Sequence, residues 1–171
     1  ATSLYVAKPG IDQWCREWGK LGDYQKHGPH RRNYGNDQIA LEAFYVHGQR
    51  DGTYTQWFEN GQKSTEGAFR TSRRVGRWDW WRENGELWKS GLYEEGLEAG
   101  IWQTWHAEGV MNSRGSYVEG KQLGLWTTWH HNGRKASEGY RLDGEEIGDW
   151  KRWNLQGQPL EAPLVTLETP T

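Results

Sequence analysis

The sequence predicts an all-β protein: an elongated, single-layer antiparallel β-sheet of tandem 24-residue β-hairpin repeats. Three observations carry that prediction. First, Gly52, Gly76, Gly100, Gly124 and Gly148 recur at a constant step of 24 residues, and a fixed period of this size marks a repeat architecture. Second, each glycine opens the same kind of phrase: GTYTQWFENG, GRWDWWRENG, GIWQTWHAEG, GLWTTWHHNG and GDWKRWNLQG. Third, the chain holds 13 Trp and 23 Gly, yet only 34% of its residues are hydrophobic and its mean hydropathy is -1.05. Aliphatic side chains are scarce, so the core must be aromatic and thin.

With the opening glycine as position zero, position 2 holds Tyr54, Trp78, Trp102, Trp126 and Trp150. Position 5 holds Trp57, Trp81, Trp105, Trp129 and Trp153. Glycine recurs at position 15, as Gly67, Gly91, Gly115 and Gly139, and an aromatic follows at position 17, as Phe69, Tyr93 and Tyr117. Tyr140 sits one place early, which predicts a local register shift or bulge.

Taken in order, residues 1–27 fall outside the repeat and read as an N-terminal cap, because terminal units of a repeat array are atypical. Trp14 and Trp18 are four apart, which predicts one short helical turn with both rings on one face. Units then start at 28, 52, 76, 100, 124 and 148 and fill an array over residues 28–157. The unit from Gly28 is degraded, with His30 and Asn33 in the aromatic positions, but its run Ile39 to Val46 is the most strand-like in the chain. From Gly52 each unit reads strand, turn, strand, turn. Asn60-Gly61, Asn84-Gly85 and Asn132-Gly133 are hairpin signals in which both residues can take positive φ. The position-15 glycine lies inside the second strand, where a side chain would collide with a neighbouring Trp. Positions 2 and 5 differ in parity, so either a bulge realigns them or each face carries its own column. The tail, residues 158–171, holds Pro159, Pro163 and Pro170 and reads as an edge-blocking strand or a loose end.

A net charge of -2 gives no general reason to bind nucleic acid. The unit at 52–75 is basic, with Lys63, Arg70, Arg73 and Arg74, and the unit at 76–99 is acidic, with Glu94, Glu95 and Glu98 among its carboxylates. One cysteine, Cys15, excludes an internal disulfide and a Cys-based metal site. No apolar run is long enough to span a membrane. The first residues, Ala1-Thr2-Ser3, lack Met and fit a mature exported form or a trimmed chain.

The chemistry-bearing residues do not assemble into a catalytic motif, so a non-enzymatic protein without a cofactor is expected. His106 and His130 share position 6 of adjacent units, about 10 Å apart, which is too far to share a zinc, and no metal site is expected in the chain. Position 6 holds Tyr34, Phe58, Arg82, His106 and His130 and varies from unit to unit. Trp80 and Trp88 lie outside the periodic columns. Scaffold residues stay constant while a binding face varies, and Trp, Tyr and Arg dominate binding hot spots. The partner surface is therefore expected at these residues, rimmed by Arg70, Arg73, Arg74, Glu94, Glu95 and Glu98. Replacing Trp80 or Arg82 by Ala should weaken binding without unfolding, whereas Trp105→Ala should unfold the chain.

The pattern carried by Gly76, Trp78, Trp81, Asn84, Gly85, Gly91, Tyr93, Gly96 and Gly100, and by its sister units, resembles the MORN-variant repeat of the bacterial YwqK-like antitoxin or immunity family. The resemblance implies one hairpin per repeat in an elongated sheet. It also implies a partner: a cognate toxin or secreted effector that the protein neutralises as an immunity protein. For an exported chain that partner acts in the envelope, for example a lipase or cell-wall hydrolase, which favours the periplasm over the cytoplasm. A lipid- or glycan-binding MORN-like module is the alternative, with membrane lipid the less favoured partner.

Overall fold

The computed structural model describes residues 3–8, 12–18 and 23–161, the first segment by its backbone alone. Among the described residues fourteen strands form one sheet in strict chain order, every neighbour antiparallel. They are β1 (Ser3–Lys8), β2 (Asp12–Trp18), β3 (Tyr24–Asn33), β4 (Ile39–Val46), β5 (Gln49–Trp57), β6 (Lys63–Arg70) and β7 (Arg73–Trp81). Then follow β8 (Leu87–Glu94), β9 (Leu97–Trp105), β10 (Met111–Val118), β11 (Lys121–Trp129), β12 (Lys135–Leu142), β13 (Glu145–Trp153) and β14 (Pro159–Leu160). At the usual strand spacing the sheet is about 60 Å across. No second layer covers either face among the described residues. Each strand can bury apolar surface only against its neighbours, which is why flat aromatic rings replace an aliphatic core.

One expectation near the N-terminus needs correction. Trp14 and Trp18 lie not on a helical turn but on strand β2, which pairs with β3 through Trp14↔His30 and Trp18↔Tyr24. Cross-strand partners decide the conformation here: Lys26 lies over the Trp14 ring at 5.3 Å, and Trp18 meets Tyr24 edge-on at 5.1 Å. Strand β3 runs across the expected boundary between cap and array at residue 28. At the other end, Pro159 and Leu160 form a short edge strand on β13, while residues 162–171 lie outside the described residues.

The turns divide the work differently from the expectation. The two-residue hairpins with positive φ at both positions are His47-Gly48, Thr71-Ser72, Glu95-Gly96, Glu119-Gly120 and Asp143-Gly144, not the Asn-Gly pairs. Such turns match the twist of the flanking strands. In Asn60-Gly61 only the glycine has positive φ, and the loop spans Phe58 to Gln62. The Asn60 side chain accepts from the Gln62 N–H at 3.0 Å and donates to the Glu83 carbonyl of the next unit at 2.7 Å. Asn132 repeats both bonds, with Arg134 and Leu155. Asn84 keeps only the local bond, because a short 3₁₀ turn at Ala107–Gly109 replaces the neighbouring loop.

The parity question resolves into two columns on two faces. At the loop end the pairing steps from Gln56↔Thr65 to Trp57↔Lys63, so the extra residue, Ser64, sits on β6 and β5 stays regular. Position 2 therefore faces one side and position 5 the other. On the position-2 side the Trp rings lie flat over the position-15 glycines. A Cβ on Gly67 would come within 2.2 Å of the Trp78 ring, and one on Gly91 or Gly115 within 2.1 Å of Trp102 or Trp126. The unit from residue 28 has Ala43 in the glycine position, and there the facing ring is the smaller Tyr54. Position-17 rings stand edge-on between the flat ones, giving Phe69–Trp78 at 5.0 Å, Tyr93–Trp102 at 5.1 Å and Tyr117–Trp126 at 5.4 Å. Each such pair adds about 0.5–1.5 kcal/mol beyond burial. Trp78, Trp102 and Trp126 are 1%, 3% and 6% exposed.

The pairing does step between Glu138 and Tyr140, but the same step recurs at Glu66/Ala68 and Ser90/Leu92, so it is not peculiar to this unit. The pairing of Tyr140 with Leu125 matches that of Ala68 with Thr53 three units earlier. Arg141 takes the position-17 place instead, with its guanidinium over Trp126 at 5.7 Å and Trp150 at 5.3 Å, and Tyr140 projects from the opposite face.

Candidate protein-interaction surface

The sheet offers two surfaces: the aromatic face just described and the face bearing the position-5 rings, called the open face. Most sequence-predicted site residues fall on the aromatic face or are engaged between repeats. In the position-6 column, the Tyr34 hydroxyl donates to the Trp57 carbonyl at 2.6 Å, and Arg82 donates to that of Trp105 at 2.6 Å. His106 and His130 place Nε2 2.8 Å from the carbonyls of Trp129 and Trp153. Those carbonyls accept, so both rings carry the proton on Nε2. Tyr, Arg and His are interchangeable here because each can donate one hydrogen bond 23 residues ahead. Phe58 has no donor to offer. The variability of this column thus has a structural explanation.

Trp80 belongs to the aromatic packing rather than standing outside it. Its ring lies 5.9 Å from Trp78 and 5.8 Å from Trp102, bridging two units. Trp88 is 44% exposed and edges a shallow hollow lined also by Lys89, Trp102, Tyr117 and Trp126. The Lys89 ammonium lies over Trp102 at 4.7 Å and Trp80 at 5.2 Å. Burial lowers its pKa, and Glu98 partly opposes that shift.

The predicted charged rim splits. Arg70 and Arg73 pair across the tip of the β6–β7 hairpin, and Arg73 reaches Glu95 at 3.3 Å, joining the basic unit to the acidic one. Glu94 lies beside Glu95, at the end of β8. Arg74 turns to the aromatic face, 4.7 Å over Trp78, and donates to the Tyr93 hydroxyl at 3.1 Å. That hydroxyl donates in turn to Glu98 at 3.3 Å.

Sequence reasoning missed the open face. Strand alternation places Leu92, Ile101, Leu123, Leu125, Tyr140 and Ile147 there, opposite the aromatic columns, and register aligns them into one row across β8 to β13. Ile101, Leu125 and Tyr140 are 48%, 49% and 58% exposed. The row's signal, an apolar residue at positions 1, 16 or 23 of successive units, is visible only once the faces are assigned. Polar pairs flank it, among them Arg77 with Asp79 at 2.9 Å and Thr127 with Glu138 at 3.3 Å. The Lys135 ammonium and the Thr127 hydroxyl hold the Glu138 carboxyl below its ordinary pKa. Ser116 of β10 lies between Ile101 and Leu123 in this row, and clustered exposed apolar surface of this kind marks interaction sites.

One further cluster has metal-ligating chemistry: Glu17, His27 and His47 present ligand atoms that all lie within 4.8 Å of one another. No helix among the described residues is long and apolar enough to cross a membrane.

Comparison with known proteins agrees with this geometry. The comparison with curated proteins gave no match. Residues 50–70, which cover β5, its loop and β6, match the family model of the MORN repeat variant. The matched hairpin recurs in register through the sheet, so the array is similar to MORN-variant repeats over that one hairpin and repeats its geometry elsewhere.

Proposed function

We propose that the protein is a non-enzymatic binding module that neutralises a cognate toxin or secreted effector by covering it with the open face. The observation that carries this reading is the exposed apolar row from Leu92 to Ile147 on a sheet with no second layer. The repeats supply a rigid, laterally extended platform, the apolar row supplies desolvation, and the flanking ion pairs supply registration. The resemblance to immunity proteins supports the class of partner.

The test is capture from source-cell extract followed by an activity assay on the captured protein. A stoichiometric partner whose activity falls on addition of this chain supports the reading. Ile101→Glu combined with Leu125→Glu should abolish capture while leaving the circular dichroism unchanged. Capture that survives this double variant removes the open face from the reading. A second reading, glycan binding, is favoured by the exposed Trp88 beside Lys89 in the aromatic hollow. Oligosaccharide-dependent quenching of Trp fluorescence that is lost in Trp88→Ala would support it instead.

A further inference from the structure

We propose that Glu17, His27 and His47 form a zinc-class metal site that clips the N-terminal strands to the repeat array. The three residues come from three segments that only the sheet brings together. Glu17 is on β2, His27 is on the neighbouring β3, and His47 opens the two-residue turn between β4 and β5. That turn is itself anchored to β3, through the Gly48 N–H donating to the Lys26 carbonyl at 2.8 Å.

The ligand geometry fits a transition metal. The Nδ1 atoms of both histidines converge on one oxygen, Glu17 Oε1, from His27 at 3.0 Å and from His47 at closer range. Ligands on a tetrahedral zinc, with bonds near 2.0–2.1 Å, are separated from one another by about 3.3 Å. The three atoms, all within 4.8 Å of one another, can therefore close on one ion by small side-chain rotations. The rings are tilted at 50° with centroids 5.3 Å apart, so they can both aim at that ion without clashing.

The His47 backbone N–H lies 3.5 Å from His27 Nδ1; that nitrogen has one lone pair, so an ion bound there would replace this long contact. Other cations nearby are directed elsewhere: Lys26 lies over Trp14 and Tyr45, and Arg50 over Tyr54 and Phe69. Two imidazoles and one carboxylate suit zinc, cobalt and nickel better than calcium or magnesium. His47 is 73% exposed, which leaves water access to the remaining coordination position.

The consequence is mechanical. An ion bound here joins β2, β3 and the first repeat turn, at the end of the sheet where the regular aromatic repeat gives out. Zn²⁺ is titrated calorimetrically into the full-length chain, and Co²⁺ is added separately to read its visible absorption. One saturable Zn²⁺ per chain, with tetrahedral-type Co²⁺ bands, is expected. Glu17→Gln keeps the side-chain shape, and His47→Thr installs the residue type that opens the next turn, at Thr71. Each should abolish saturable binding while leaving the circular dichroism unchanged, whereas His131→Ala should retain it. Zinc should also raise the melting temperature of the native chain by several degrees at about a hundredfold excess over its dissociation constant, and leave both variants unmoved. Absence of saturable binding in the native chain, or binding indifferent to Glu17→Gln and His47→Thr, would overturn the site.

Discussion

The two faces of this sheet are made by the same strands, yet they are finished in opposite ways. On the aromatic face, flat Trp rings occupy the room left by glycines and upright Phe and Tyr rings fill the gaps, so Trp78 is 1% exposed. On the open face, the position-5 rings remain half-buried and the row beside them leaves Ile101 and Leu125 about half in solvent. A single layer cannot bury both sides. The lesson is that glycine placement, more than Trp count, decides which face becomes a core: the aromatic face has a glycine under each position-2 Trp, and the open face has none under its position-5 Trp rings.

This contrast can be broken most sharply at Gly91. Gly91→Ala places a methyl where the Trp102 ring lies, 2.1 Å from its nearest carbon. The loss should match or exceed that of Trp102→Ala, about 3–5 kcal/mol. In urea titrations the double variant should cost clearly less than the two single losses added together, because both remove one contact. Additive losses would mean that the ring does not depend on the glycine. Next in size, Trp105→Ala on the open face should cost about 2 kcal/mol, in line with half-burial. Unfolding of that variant, which the sequence alone leads one to expect, would put both columns in the core and dissolve the distinction between faces.

Smaller effects separate the repeats from one another. Asn60→Ala removes a loop bond and a bond to the next unit and should cost about 1–2 kcal/mol, whereas Asn84→Ala, which has only the loop bond, should cost about half as much. Equal losses would mean that the inter-repeat bond contributes nothing. The smallest effect concerns His30, buried on the aromatic face, whose pKa is lowered chiefly by desolvation, with Lys26 acting the same way and Asp12 opposing. Its folded form binds protons less readily than the unfolded chain does. Its contribution is complete above the ordinary imidazole value of about 6.5 and is lost as pH falls through the lower folded value. Melting temperatures measured from pH 7 downward should fall less steeply in His30→Gln than in the native chain. Identical slopes would place the acid sensitivity elsewhere.

Much of the fold is legible in the sequence because each repeat states its rule several times. The collision between a residue-67 side chain and Trp78 can be read from the spacing of glycine and Trp alone. The errors fall where the rule is stated once. Trp14 and Trp18 have a helical spacing, but strand pairing with β3 overrides it. Tyr140 looks like a displaced column residue because nothing in the sequence says that an arginine can tile a Trp face. The site was less legible. The position-6 residues vary as binding residues do, but Tyr34, Arg82, His106 and His130 have backbone carbonyls as partners, which a sequence does not display. The open-face row and the Glu17–His27–His47 cluster require the register between strands, which only the folded sheet supplies.

The aromatic ladder is also an optical object. From Tyr54 to Trp126 successive rings lie 5.0–6.1 Å apart in fixed mutual orientations. At such separations electronic transitions mix, and an excitation created on one indole is shared before it is emitted. The intact array should therefore show paired exciton bands in its circular dichroism and strongly depolarised fluorescence. The ordered length of the sheet can then be read from light alone, without a label.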